Sequence, residues 1–167
     1  GVFGGRMKEN VERFGGEVVL VSDEWGQPVS PEKVKAAFAE HPDAKILAFV
    51  HAETSTGVRS DAQALCAIAK AHGALTIVDA VTSLGGSELD VDGWGIDAIY
   101  SGSQKCLSCP PGISPVSFND RAIEKINGVK DLLDEDLFDI GVFVPKKELI
   151  QEVYDPRVGL DKWVEKL

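Results

Sequence analysis

The sequence predicts an α/β fold, a three-layer α/β/α sandwich built on a mainly parallel sheet. Two observations carry the prediction. Short runs that are apolar throughout, KILAFV (45–50) and LTIVDA (75–80), alternate with helical patterns, and a strand apolar on both faces needs cover on both. The residues just after these runs are rich in hydroxyls and other polar groups. Open sheets of this kind receive their ligands there, at the carboxyl ends of the strands.

In chain order, Arg6–Phe14 has helical spacing, and Gly15-Gly16 ends that helix. Glu17–Val21 (EVVLV) reads as a short buried strand. Ser30 caps a helix with Pro31 at its first position, where the missing N–H costs nothing, and the helix runs to about Glu40. Lys45–Val50 is the second strand. Ser60 or Asp61 caps a helix through Ala71, stopped by His72-Gly73. Leu75–Ala80 is the third strand, Asp97–Gly102 (DAIYSG) the fourth and Ile113–Phe118 (ISPVSF) the fifth. Asp120–Ile126 is a helix. From residue 129 the character changes: the tail 129–167 is acidic, with helical spacing at Pro145–Tyr154 and Leu160–Leu167, and no chemistry is apparent in it. The expected organisation is a ligand-binding domain over 1–128 followed by this tail.

The 167 residues suffice for one domain with a substantial core, and 44% hydrophobic with 26% charged residues is ordinary for a soluble protein. A net charge of −10 argues against nucleic acid or an anionic membrane as partner. No apolar run approaches the roughly 20 residues of a membrane helix. The expected location is cytoplasmic, or an organelle if a targeting segment lies upstream. The chain opens on GVFGGRM with no initiator Met and is expected to be part of something longer.

Three loops follow the central strands: His51–Gly57, Asp79–Ser83 and Ser101–Lys105. Asp79, at the end of LTIVD, is a carboxylate where burial is high and a cationic partner is needed; it also fits a helix cap, since VTSLGG follows. Lys105 is a lone cation among small and polar residues. In a closed apolar site its neutral amine would attack carbonyls; it also fits a surface turn. Together the two are sharper. Pyridoxal 5'-phosphate carries a pyridinium nitrogen for Asp79 and an aldehyde for Lys105. Thr54, Ser55, Thr56, Ser103 and Gln104 supply uncharged donors for its phosphate and phenolic oxygens.

HAETSTGV (51–58), VDAVTSLGG (78–86) and YSGSQKCLSCPPG (100–112) resemble the signatures of class V aminotransferases of fold type I, of the alanine–glyoxylate and serine–pyruvate type. The resemblance covers about Gly1–Ile126. It implies that residues 1–128 are part of the large, cofactor-binding domain of such an enzyme. It implies that Lys105 holds the cofactor covalently and shuttles the proton, that Asp79 pairs with its ring nitrogen, that Gln104 binds its phosphate and that Thr54 lies near its phenolic oxygen. GVFGGRM matches a segment that begins beside the cofactor. The implied reaction is amino-group transfer from alanine or serine to glyoxylate or pyruvate, in a homodimer when full length. Two other readings stand beside it: a lyase or desulfurase on the same fold, and an inactive truncated chain. The family's phosphate-binding turn and ring-stacking aromatic precede the GVFGGRM segment, and its substrate-binding arginine lies in a C-terminal domain. None is matched here.

Other motifs reduce to packing or turns. DVDGWGID starts like a calcium loop but has Trp94 and Ser101 where ligands belong. CLSC (106–109) has too few companions for a zinc site, so no metal is expected. His51 reads as a hydrogen-bonded residue at a strand end, with ring stacking or base chemistry as the alternative. Trp25, Trp94 and Trp163 read as packing residues.

Overall fold

A computed structural model describes residues 1–130. Helix α1 (Val2–Arg13) and helix α2 (Pro31–Glu40) precede strand β1 (Ile46–Val50). A two-stranded hairpin, β2 (Ala52–Glu53) and β3 (Val58–Arg59), leads to α3 (Ala62–Ala71) and β4 (Leu75–Asp79). Strands β5 (Ala98–Tyr100) and β6 (Val116–Phe118) and helix α4 (Asp120–Lys130) follow. The main sheet has the order β1-β4-β5-β6. Its first three strands are parallel, and β6 runs antiparallel to β5. The predicted α/β class, with a mainly parallel sheet and flanking helices, is the one observed.

The register explains where the core sits. Leu47 pairs with Thr76, Phe49 with Val78 and Val78 with Ile99. Paired residues of parallel strands share a face, so these line one side of the sheet. On that side Phe49, Val78 and Ile99 join Val34 and Phe38 of α2 and Leu65, Cys66 and Ala69 of α3 in one buried cluster. The helices are set by their caps. Ser30 Oγ accepts the Lys33 N–H (3.3 Å) with Pro31 following, and Asp61 Oδ1 accepts the Ala64 N–H (2.9 Å). Of the two cap candidates for α3, Asp61 is therefore the one; Ser60 instead accepts the Val29 N–H.

The opposite face carries Ile46, Ala48, Leu75, Ile77, Asp79 and Tyr100 by the same alternation. It is thinly covered at its edges: Ile46, Ala48, Val116 and Phe118 are exposed. The cover expected on both faces is complete on one face only among the described residues.

Two elements differ from expectation. Residues 17–21 do not form a strand. A strand needs a neighbour's N–H and C=O groups, and among the described residues none pairs with this run; Val19 and Leu20 are exposed. Helix α1 starts four residues earlier than its apolar spacing suggests. Ser55 Oγ accepts the Val2 N–H (2.9 Å), and Glu53 carboxylate oxygens accept those of Phe3 (3.5 Å) and Gly4 (3.2 Å). These are the orphan donors of a helix start, so a distant acid extends the helix across Gly4-Gly5. Trp94 packs against the core as expected, whereas Trp25 is exposed. The tail helices and Trp163 lie outside the described residues.

Candidate active site

Asp79 ends β4, between β1 and β5, and is 6% exposed. Its Oδ1 accepts the Val81 N–H (2.9 Å) and its Oδ2 accepts the Tyr100 hydroxyl (2.8 Å). The first bond turns the chain after the strand, as an Asp in a cap does. The second crosses to β5, where Tyr100 is the register partner of Asp79. Burial, then the hydrogen bond to Asp79 and its charge, push the Tyr100 phenol well above its ordinary pKa, so it remains an O–H donor. Among the described residues no basic side chain pairs with Asp79. A buried carboxylate held by neutral donors alone keeps free lone pairs for one cation, and a protonated ring nitrogen fits that need.

Lys105 follows β5 on the neighbouring strand end. Ser101 Oγ donates to the Ala80 carbonyl (3.2 Å), which roots the loop beside Asp79. The turn is closed by Ser108 N–H to Lys105 O (3.0 Å) and Cys109 N–H to Ser103 O (2.9 Å), with Ser108 in the left-handed region at φ 55°. Lys105 and Gln104 are exposed. The closed apolar setting expected for Lys105 is not built by the described residues, because the loop lies on the surface of this part of the fold.

The expected hydroxyl donors divide in two. Ser103 Oγ donates to Pro110 O (2.7 Å), Ser55 Oγ to Glu53 Oε1 (2.7 Å) and Thr56 Oγ1 to Glu53 O (3.5 Å), so these protons are committed to their loops. Thr54 is exposed and bonds only loosely to Thr82 Oγ1 (3.3 Å). Thr54 and Gln104 are thus the two that remain open to a ligand.

His51 is nearly fully buried, edge-on to Trp94 at 6.0 Å, and its Nδ1 has no hydrogen-bond partner. Burial first, and the charge of Arg59 second, hold it below its ordinary pKa. It continues the β1 ladder, its N–H donating to Asp79 O (2.9 Å), so alternation turns its ring to the face opposite the Asp79 carboxylate. His51 is hydrogen-bonded at the strand end as expected, through its backbone, while its ring Nδ1 has no partner, and the structure does not bring the ring to the Asp79 side.

Sequence reasoning missed Tyr100 and Glu53. Burial opposes ionisation of Glu53, yet hydrogen bonds from the Ser55 side chain and from the Ser55, Gly4 and Phe3 N–H groups outweigh it and keep the carboxyl below its ordinary value. Glu53 thereby seats the start of α1 at the strand ends. Tyr100 had a usable signal: strands β4 and β5, ending VD and IY, place an acid and a phenol at the same register position once they are known to pair.

The parallel sheet, with an acid ending one central strand and a lysine-bearing turn after the next, has the α/β fold of fold type I aminotransferases. The chain belongs to the class-V aminotransferase family, which residues 7–132 match. An uncharacterized aminotransferase of Methanocaldococcus jannaschii is 37% identical over 163 residues, 96% of this chain and 42% of that protein. That match runs beyond Ile126, where the likeness carried by the motifs stops. The crystal structure of alanine–glyoxylate aminotransferase from Nostoc sp. is 44% identical, with a TM-score of 0.72 over 75% of this chain and 33% of that one. Ureidoglycine–glyoxylate aminotransferase from Bacillus subtilis is 40% identical, with a TM-score of 0.73 over 77% of this chain and 33% of that one. The chain spans less than half the length of each of these proteins. Among the described residues no helix is long and apolar enough to cross a membrane.

Proposed function

We propose that this chain supplies the Asp79–Lys105 side of a pyridoxal-phosphate site that transfers an amino group from a small amino acid, alanine or serine, to a 2-oxo acid, glyoxylate or pyruvate. The observation that carries the reading is the buried Asp79 carboxylate, held only by neutral donors beside the lysine-bearing turn. Relatives named for glyoxylate as acceptor support the choice of oxo acid.

Pyridoxal phosphate, when bound, supplies an aldehyde for amines and a ring that draws electrons from a breaking Cα–H bond. The chain's residues do the rest. Asp79 presents its carboxylate to a protonated ring nitrogen and keeps that proton in place. Tyr100, donating to Oδ2, fixes the direction of the carboxylate. Lys105 Nζ would hold the aldehyde, and as a free amine it would take the proton leaving the substrate's Cα; such transfer is worth about 10²–10⁴-fold. Gln104 and Thr54 hold the phosphate and phenolic oxygens. A homodimer of the complete protein would close the site.

Exposure to pyridoxal phosphate followed by borohydride should fix a pyridoxyl group on Lys105, read by peptide mass. An adduct confined to any other lysine would sink the assignment.

A further inference from the structure

The stretch that starts at Asp79 folds back on itself. Ser83 and Leu84 N–H groups donate to Ala80 O (3.1 and 2.9 Å), and the Gly86 N–H donates to Ser83 O (2.9 Å). It ends under the Lys105 turn. A methyl group on Gly86 would stand 2.7 Å from Cys106 Sγ and 3.1 Å from Cys106 Cβ. On Gly85 it would stand 3.3 Å from Leu107 Cδ2. The two glycines are small for different reasons. Gly85 has φ 80°, a backbone that disfavours any side chain. Gly86 is outside that region, so its backbone tolerates a side chain, and a Cβ there would force Cys106 to shift.

We propose that Gly86 is a positioning residue for Lys105: its bare Cα is the floor on which Cys106 rests, and Cys106 sets the height of the adjoining lysine. The inference rests on the assignment of Lys105 made above. The 79–86 stretch then carries the acid at one end and the lysine's support at the other. A change at Gly86 moves Nζ relative to the Asp79 carboxylate without touching either group. The turn's other bonds run within itself and to residues 110–115, with Ser101 Oγ to Ala80 O at its root. The Gly86–Cys106 approach, with Gly85–Leu107 beside it, thus ties its lysine end to the Asp79 segment among the described residues.

The test uses the full chain in a Cys109→Ser background, with Gly86→Ala, Cys106→Ala and the double variant. Two quantities are read. One is the rate at which Lys105 acquires a borohydride-fixed pyridoxyl group from pyridoxal phosphate. The other is the rate at which Cys106 reacts with an aromatic disulfide reagent when no pyridoxal phosphate is present. A displacement of about 1 Å can cost about 10²-fold, so Gly86→Ala should slow capture by up to that factor. It should also change the thiol rate of Cys106. Adding Cys106→Ala should restore most of the loss, because the 2.7 Å contact is gone. Cys106→Val enlarges the contact from the other side and should reproduce the loss with the glycine intact, which covers the case that Gly86→Ala does not fold. Capture at the parent rate in both Gly86→Ala and Cys106→Val would overturn the proposal. So would a loss that the double variant leaves unrelieved. A parent chain that takes no pyridoxyl group on Lys105, while the thiol rate still responds to Gly86→Ala, would overturn the Lys105 assignment and the positioning role with it, leaving the contact itself visible.

Discussion

Asp79 draws its chemistry from its neighbours: one N–H, one phenol and no cation among the described residues. Asp79→Asn keeps the size and most of the hydrogen bonding but removes the charge proposed to hold a proton on the cofactor's ring nitrogen. Amino transfer in the complete protein should fall by about tenfold or more, each tenfold being about 1.36 kcal/mol, while borohydride labelling of Lys105 persists. Steady-state kinetics checks this, and unchanged turnover would remove Asp79 from the mechanism. Tyr100→Phe leaves Oδ2 without its buried donor and should cost about 1–3 kcal/mol of stability by denaturant unfolding. His51 makes stability depend on pH. Its folded pKa lies below the ordinary value, so the unfolded chain binds the proton more readily. Its stability contribution is complete above about pH 6.5 and is lost as pH falls from there towards the lowered folded value. Denaturant midpoints of His51→Phe should fall less steeply over that window than those of the parent; equal slopes would show that His51 does not set the dependence.

At the level of elements, caps and burial decide. Leu65, fully buried on α3, packs that helix into the core beside β4. Leu65→Ala should cost about 2–5 kcal/mol, the range for a cavity left in a core, as read from unfolding midpoints. A value under 1 kcal/mol would mean that the α3–sheet interface is not the main core. At the amino end of β5, remote from Asp79, buried Asp97 accepts from the Thr76 N–H and hydroxyl, from Asn119 Nδ2 (2.8 Å) and from Arg121 (3.0 Å). This network ties β4, β5 and the start of α4 at the end of the sheet away from Lys105. Asp97→Ala should therefore lower stability while sparing the rate at which Lys105 is labelled.

At the scale of the whole molecule, the described residues form a packed face and an open one, and several of their large apolar side chains lie outside: Phe14 is 84% exposed, and Trp25 and Ile113 are 69% exposed. The isolated chain should have little or no alanine-to-glyoxylate transfer, and should bind an apolar dye or self-associate through such surface. Normal turnover and tight pyridoxal-phosphate binding by this chain alone would show that it carries every group the reaction needs. Much was legible in the sequence because it is local. Ser30-Pro31 and Asp61 set helix starts through bonds reaching three residues. Apolar runs became β1 and β4, and VDAVTSLGG with YSGSQK singled out Asp79 and Lys105 as candidates. What depends on distant partners was not legible. EVVLV has the composition of a strand, but composition does not supply a neighbouring edge. Glu53 extends α1 from about fifty positions away, and Tyr100 meets Asp79 only because β4 and β5 pair in one register. The exposure of Lys105 and the closeness of Gly86 to Cys106 come from how loops stack at the strand ends. Propensity and spacing act along the chain, whereas register, burial and side-chain clearance exist only once the sheet has formed.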